Sequence, residues 1–294
     1  MLKVAFLGLG SIGRPMARRI KEAGFPLAVW NRTPDHVATF AKDLGVQLSK
    51  TPGDAIKDTD IVAICLSTSA DVEQVLDAGV IGSIKAGAVV LDLTSGDPAT
   101  SKRIAAKVAA KKVGFIDAPV SGGVKGAEAG TLTVMCGGDA KDLERAKPVI
   151  AAFGQKVVHC GPVGAGDAVK AMNQALLALT IWGTGEALVA LSKLGVSPSV
   201  ALEVINASSG RSNASMNLFP ERVLTRAFPR TFRLALMDKD ARIAAQIARD
   251  ERVPAPLTQL VADLCTLARR ELGEDADHVE AVRVIERWAG QDIR

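Results

Sequence analysis

The sequence predicts an α/β fold in two parts: an N-terminal, doubly wound and mostly parallel sheet covered by helices, then an all-α C-terminal domain, with one long helix between them. Three observations predict it. Seven short β-rich runs, "KVAFLG", "PLAVWN", "DIVAICLS", "AVVLDLT", "VGFIDAPV", "TLTVMCGG" and "KVVHCG", alternate with helical stretches, the pattern of strands buried on both faces by crossover helices. From about Gly164 the strand-like runs stop and Ala- and Leu-rich helical periodicity takes over, beginning with an exceptionally long segment from about Ala165 to Leu194. The length of 294 residues suits two domains at ~100–200 residues each. The expected boundary is near Pro162, giving domains 1–162 and 163–294.

The first run continues as "VAFLGLGSIGRPMARRI", in which Gly8, Gly10 and Gly13 have the spacing GxGxxG directly after a strand and at the start of a helix. The first glycine permits a tight turn, the second lets the backbone approach a pyrophosphate, and the third allows close helix–strand packing. Ser11 and Ile12 lie between them, at a helix N-terminus whose unpaired N–H groups and dipole favour phosphate. A dinucleotide-binding Rossmann domain is the expectation.

The second run ends in "VWNRTPDHV". An acidic side chain here would bond the ribose 2′-hydroxyl of NAD, whereas an arginine accommodates the 2′-phosphate of NADP. Asn31 is neutral, Arg32 offers a permanently charged planar donor and Thr33 follows, so NADP is favoured, with NAD possible. The alternative is that Arg32 is a solvated charge and Asn31 caps the next helix. Further strand ends bring Leu66, Ser67 and Thr68 in "AICLSTS", and Thr94 and Ser95 in "LDLTSGDP", to the same crevice, with hydroxyls suited to ribose or nicotinamide. Ser69 and Asp97 are the expected caps of the helices that follow.

"DAPVSGGVKGAEAGTLTVMCGG" interrupts the alternation. Ser121, Gly122 and Gly123 can present backbone N–H groups and a hydroxyl to an anion; a plain β-turn is the other reading. The long helix then opens with "GPVGAGDAVKAMNQAL", placing Lys170, Asn173 and Gln174 within an arc of about 100° on one helix face, with Val169, Met172 and Leu176 largely elsewhere. If this helix packs against both domains, its polar face lines the cleft between them, a preferred place for small-molecule sites.

The remaining composition excludes other classes. The net charge of +4 comes from 36 Lys+Arg against 32 Asp+Glu scattered along the chain, so no nucleic-acid surface is implied. Cys65, Cys136, Cys160 and Cys265 lack CxxC spacing and read as free thiols of a cytoplasmic protein. His36, His159 and His278 are isolated, so no metal centre is expected. No secretory signal precedes the first strand, and no run approaches the ~18 apolar residues of a membrane span.

Six motifs in order, "GLGSIGRPMA", "NRT", "DLTSGDP", "DAPVSGGVKGAEAGTLTVMCGG", "GAGDAVKAMNQ" and "LALMDKDARIA", resemble the β-hydroxyacid dehydrogenase family, of the 3-hydroxyisobutyrate dehydrogenase and tartronate semialdehyde reductase type. The resemblance covers nearly the whole chain. It implies that Lys170 is the catalytic lysine, that Ser121, Gly122 and Gly123 bind the substrate carboxylate and that Asn173 binds substrate, with Gln174 where many members have a second asparagine. It also implies that Lys239 closes over the cofactor with Asp240 positioning it, and that Ser95 contacts the cofactor. "CLST" replaces a commoner Leu-Pro ending, and Thr-Ser in "LTSG" replaces Ser-Thr. Phosphogluconate dehydrogenase shares the architecture but follows its lysine with His-Asn, where this chain reads "KAMNQ".

The implied reaction interconverts a small 3-hydroxy acid and its 3-oxo acid, with Lys170 moving the proton that accompanies the hydride. Burial beside a positive nicotinamide would suit Lys170 to this, because desolvation and a like charge both disfavour the ammonium form. The rivals are a non-catalytic NADP-binding module and an imine reductase of the same fold. Arg211 in "NASSGRSNASMNLFP" is a candidate for a second anionic substrate group, or else a surface arginine. Apolar helical segments such as "PLTQLVADLCTLARRELG", and the resemblance itself, imply a homodimer or homotetramer.

Overall fold

A computed structural model describes residues 1–294, apart from the side chains of His36 and Ala78, and the chain divides into two compact units, Met1–Lys170 and Ala171–Arg294. The first unit runs β1 (Val4–Leu7), α1 (Gly13–Glu22), β2 (Leu27–Trp30), α2 (Ala38–Leu44), β3 (Gln47–Leu48), α3 (Pro52–Ile56), β4 (Ile61–Ile64), α4 (Ser69–Val75), α5 (Ala78–Ser83), β5 (Val89–Asp92) and α6 (Pro98–Ala109). It continues with β6 (Gly114–Asp117), β7 (Val120–Ser121), α7 (Gly123–Ala129), β8 (Leu132–Gly138), α8 (Ala140–Ile150) and β9 (Gly154–Gly161). The strands form one sheet in the order β3-β2-β1-β4-β5-β6-β8-β7, with β9 paired to β8. β1 pairs in parallel with both β2 and β4, so the winding reverses beside it and opens a crevice at the carboxyl ends of these strands.

The core explains why these runs are strands. β1, β4 and β5 are buried at every position, because alternate side chains feed opposite faces of a covered sheet. Phe6 joins Met16, Ile20 and Phe153 on one face, while Leu7 joins Ile56, Ile64 and Val108 on the other. Each such side chain contributes about 1.5–3 kcal/mol by leaving water.

All seven expected strands form. β3 and β7 were not anticipated, since two residues carry no legible alternation. β7 pairs antiparallel with β8, Val120 opposite Val134 and Ser121 opposite Thr133, and β8 is antiparallel to β6. The glycine-rich stretch is therefore where the parallel sheet turns mixed.

α9 (Ala165–Lys193) starts in the first unit and continues into the second, followed by α10 (Pro198–Ala207), a π-helix (Ala214–Val223), α11 (Leu234–Asp250), α12 (Pro256–Leu272), a 3-10 turn (His278–Ala281) and α13 (Val282–Ala289). Its 29 residues, with a mean hydropathy of 1.5 over an 18-residue window, reach the length and composition of a membrane-spanning helix, which the expectation of no such run missed. Ile181, Trp182, Leu188 and Val189 of α9 pack instead with Leu202, Phe219, Met237, Val261 and Val282 in the second unit's core, the behaviour of the central helix of a helical domain.

Candidate active site

The three glycines of the first turn occupy three different environments. Gly8 has φ +100°, and a Cβ on it would strike the Cys65 carbonyl at the end of β4. A Cβ on Gly13 would strike the Gly8 carbonyl, so the third glycine sets how closely α1 approaches the turn. Gly10 faces open space, with nothing within 4 Å of such a Cβ. The backbone is therefore accessible at Gly10. No side chain caps α1, whose N-cap is the half-buried Ile12 beside the exposed Ser11. Arg14, which no motif singled out, donates from Nε to the Leu9 carbonyl at 2.9 Å and lays its guanidinium along the same turn.

Asn31 ends β2 and does not cap the next helix. Its Oδ1 accepts from Leu9 N at 2.9 Å and its Nδ2 donates to the Thr33 carbonyl at 2.9 Å, so it ties the glycine turn to the end of β2. Arg32 is 74% exposed and paired at 3.0 Å with Asp71; Thr33 is exposed. Asp71 is itself held, its carboxylate accepting from Thr68 Oγ1 at 2.7 Å.

At the ends of β4 and β5, Leu66 N donates to Thr94 Oγ1 at 3.0 Å and Thr94 N donates to Asp92 at 3.0 Å. Thr94 is 1% exposed and joins the two strand ends, while Ser67 is exposed and Ser95 half-buried beside them. The cap of α4 is Thr68, whose hydroxyl accepts from Asp71 N, and not Ser69 as expected. Ser69 is the first helical residue, and its Oγ accepts from Asp97 N at 2.8 Å. Asp97 caps α6 as expected, accepting from Thr100 N.

Beyond β7, Gly122 and Gly123 have φ +131° and +64°, left-handed conformations that glycine adopts without a Cβ penalty. They form the exposed entry to α7, with Ser121 half-buried before them. On α9, Lys170 and Gln174 are 8% and 5% exposed, whereas Val169 and Leu176 are 45% and 63% exposed. Asn173 is exposed and donates from Nδ2 to Gln174 Oε1 at 3.3 Å.

Comparisons with known proteins bear on the family of the chain. Residues 3–161 match the NAD binding domain of 6-phosphogluconate dehydrogenase, and residues 164–285 match the NAD-binding domain of NADP-dependent 3-hydroxyisobutyrate dehydrogenase. 2-(Hydroxymethyl)glutarate dehydrogenase of Eubacterium barkeri is 33% identical over 99% of this chain and 97% of that enzyme. The chain belongs to the β-hydroxyacid dehydrogenase family. Human mitochondrial 3-hydroxyisobutyrate dehydrogenase is 34% identical over 87% of this chain and 79% of its own length. The Mycobacterium tuberculosis 3-hydroxyisobutyrate dehydrogenase, solved with L-serine, superposes with a TM-score of 0.90 at 30% identity, covering 97% of this chain and 99% of that one. The cofactor of this β-hydroxyacid dehydrogenase is a nicotinamide dinucleotide, NAD(P).

In the second unit, Lys239 and Asp240 of α11 pair at 2.9 Å with Asp240 almost fully buried, and Arg211 is exposed between α10 and the π-helix. Among the described residues no cluster of His, Cys, Asp or Glu could hold a metal. All four cysteines are free; burial pushes the thiols of Cys65, Cys136 and Cys265 up to about 12, so they stay protonated.

Sequence reasoning missed Asp117 and Asp167. Asp117 accepts from Gly164 N at 2.7 Å and from Asp167 N at 3.0 Å. Asp167 accepts from Gly96 N at 3.0 Å and from Ser101 Oγ at 2.6 Å. The available signal was an acid closing the apolar run "GFID" and another in the first turn of a helix.

Proposed function

We propose that this protein is an NADP-preferring dehydrogenase that interconverts a small 3-hydroxy acid and its 3-oxo acid, with Lys170 as general acid/base. The observation that carries this is the inversion on α9: a lysine and a glutamine are buried within two turns that expose a valine and a leucine. Burying such groups costs free energy that packing alone does not return. Buried polar groups that converge on one helix face support a site there.

The bound nicotinamide supplies or accepts the hydride. Lys170 Nζ takes the hydroxyl proton in oxidation and gives it to the carbonyl oxygen in reduction. The Ser121 hydroxyl and the N–H groups of Gly122 and Gly123 hold the substrate carboxylate, Asn173 orients the substrate, Gln174 steadies the Asn173 amide, and Arg211 takes a second anionic group. Gly8, Gly10, Ser11, Ile12 and Gly13 receive the pyrophosphate; Asn31, Arg32 and Thr33 serve the adenosine ribose and its phosphate. Leu66, Ser67, Thr94 and Ser95 serve the nicotinamide end, and Lys239 with Asp240 is assigned to the cofactor on the family resemblance. Residues 1–162 then form the cofactor domain and 163–294 the substrate and oligomerisation domain of a cytoplasmic enzyme.

The test is a turnover screen of small 3-hydroxy acids, among them 3-hydroxyisobutyrate, glycerate and L-serine, with tartronate semialdehyde and sulfolactaldehyde in the reductive direction, each with both cofactors. Turnover of at least one of them supports the reading. Turnover of cyclic imines alone supports an imine reductase, and cofactor binding with no turnover supports a binding module.

Cofactor choice is tested at "WNRTP". The guanidinium of Arg32 exchanges Asp71 for the 2′-phosphate, a charge-assisted contact worth about 1.5–3 kcal/mol. Arg32→Ala is expected to weaken NADP by roughly ten- to hundredfold and NAD far less. Asn31→Asp keeps the acceptor for Leu9 N while repelling the phosphate, and shifts preference toward NAD. Titrations at one salt concentration check this; equal losses for both cofactors in Arg32→Ala would assign Arg32 to the surface.

Self-association is the second expectation. Val200 and Val204 on α10, Leu257, Leu260 and Leu267 on α12 and Trp288 on α13 are all exposed, apolar surface that a second subunit would cover. Light scattering at micromolar concentration is expected to give a dimer or tetramer. A monomer alone would refute it.

A further inference from the structure

Asp117 and Asp167 take no part in the chemistry above, yet they are 0% and 1% exposed. Asp117 ends β6, and Asp167 lies in the first turn of α9. The Asp117 carboxylate receives Gly164 N and Asp167 N, which are among the N–H groups a helix leaves unpaired at its start. It therefore acts as a cap supplied from a neighbouring strand. Asp167 reaches the other way: Oδ1 accepts from Gly96 N, one residue after Ser95, and Oδ2 accepts from Ser101 Oγ in α6.

Close packing reinforces both links. A Cβ on Gly166 would strike the Met135 carbonyl and lie 2.9 Å from the Asp117 carbonyl, and one on Gly96 would come within 3.2 Å of Asp167 Oδ2. The first turn of α9 is thus seated between the end of β6 and the β5–α6 segment with little room to slide.

We infer that Asp167, seated by Asp117, is a positioning residue for Lys170: it fixes the first turn of α9, which leads into the turn that carries the lysine, against the segment that carries Ser95. The inference rests on the proposal that Lys170 is the acid/base. Lys170 lies three residues beyond Asp167, about 4.5 Å along the helix axis, so a shift of the first turn is carried directly to it. A misplacement of about 1 Å can cost a hundredfold in rate, so a rigid seat for this turn bears directly on turnover.

Burial raises the proton affinity of Asp167 well above the usual carboxylate range, and the charges of Asp117 and Asp92 add to it. The role assigned to Asp167 is the pair of hydrogen bonds, which needs no full charge. An amide offers the same pair: Oδ1 can accept from Gly96 N, and Nδ2 can donate to Ser101 Oγ.

The test compares Asp167→Ala, Asp167→Asn and Ser101→Ala with Lys170→Ala, using the best substrate of the screen. The measurements are kcat, KM, the cofactor Kd and thermal unfolding of the full chain. Asp167→Ala is expected to lower kcat by about 10- to 100-fold while KM and cofactor Kd stay within about threefold of wild type. Asp167→Asn is expected to restore kcat to within about threefold, and Ser101→Ala, which removes one bond, to fall between them. Wild-type kcat in Asp167→Ala overturns the inference. So does equal impairment of the alanine and asparagine variants, which would assign the effect to charge. Should Asp167→Ala not fold, Ser101→Ala decides: a lowered kcat at unchanged KM supports positioning, and an unchanged kcat overturns it. If Lys170→Ala retains turnover, the acid/base proposal fails. If Lys170→Ala is inactive while Asp167→Ala turns over normally, positioning alone fails.

Discussion

Lys170→Ala is expected to lower turnover by about 100-fold or more, the usual scale for a positioned acid/base, while cofactor affinity changes little. The separation follows from where Lys170 stands. The turn of Gly8, Gly10 and Gly13, proposed above to receive the cofactor, is built from β1, α1 and the end of β4, and Lys170 is not part of it. Its side chain is nearly buried, so alanine also removes packed methylene groups and leaves a cavity. Lys170→Met separates the two effects, since it keeps an apolar stem and removes only the amine. Both variants are expected to lose turnover alike, with KM within a fewfold of wild type, because an acid/base acts in the transition state rather than in ground-state binding. Single-turnover kinetics alongside cofactor titration reads this out. Near wild-type turnover in Lys170→Met would remove the amine from the mechanism and leave Lys170 a packing residue.

What could be read in the sequence was local. Gly8, Gly10 and Gly13 lie within six residues of each other, and Gly8 and Gly13 have the close backbone contacts that their positions predict. The buried strands carry unbroken apolar runs, and α9 keeps its Ala- and Leu-rich apolar composition over 29 residues. Features that depend on distant partners were not legible. Asn31 was read as a possible cap because nothing in "VWNRTP" announces Leu9, 22 residues earlier. Asp117 meets Gly164 across 47 residues and Asp167 across 50. The cap of α4 was misassigned by one residue because Ser and Thr both suit the position; the extended backbone of Thr68, φ −143° and ψ 158°, decides it.

The second large effect is on stability and concerns Asp277, an acid that no motif marks. Its carboxylate accepts from Thr231 N at 2.8 Å, Thr231 Oγ1 at 3.0 Å, Phe232 N at 3.0 Å and Val279 N at 3.1 Å. His278 Nδ1 lies 3.0 Å from it and 3.2 Å from the Phe232 carbonyl. Both of those neighbours are acceptors, so Nδ1 carries the hydrogen. This one side chain therefore starts the 3-10 turn and fixes the strap that leads into α11, which bears Lys239 and Asp240. Asp277→Ala leaves the buried Val279 N and the part-buried donors of Thr231 and Phe232 without their acceptor, and a loss of about 3–5 kcal/mol is expected. Burial alone would raise the Asp277 carboxyl, but the hydrogen bond and charge of His278, with the N–H groups of Phe232 and Thr231, outweigh it and hold the carboxyl well below the usual carboxylate range. A carboxyl depressed in the folded state stabilises the protein above its unfolded value of 3.8, and that contribution fades as the pH falls toward the lower folded value. The gap between wild type and Asp277→Ala is accordingly widest near neutrality and narrows below about pH 4. Urea unfolding followed by circular dichroism at a series of pH values measures the gap. A difference under about 1 kcal/mol at neutral pH, or one that does not shrink with acid, would show that the strap into α11 is held by its apolar neighbours and not by Asp277.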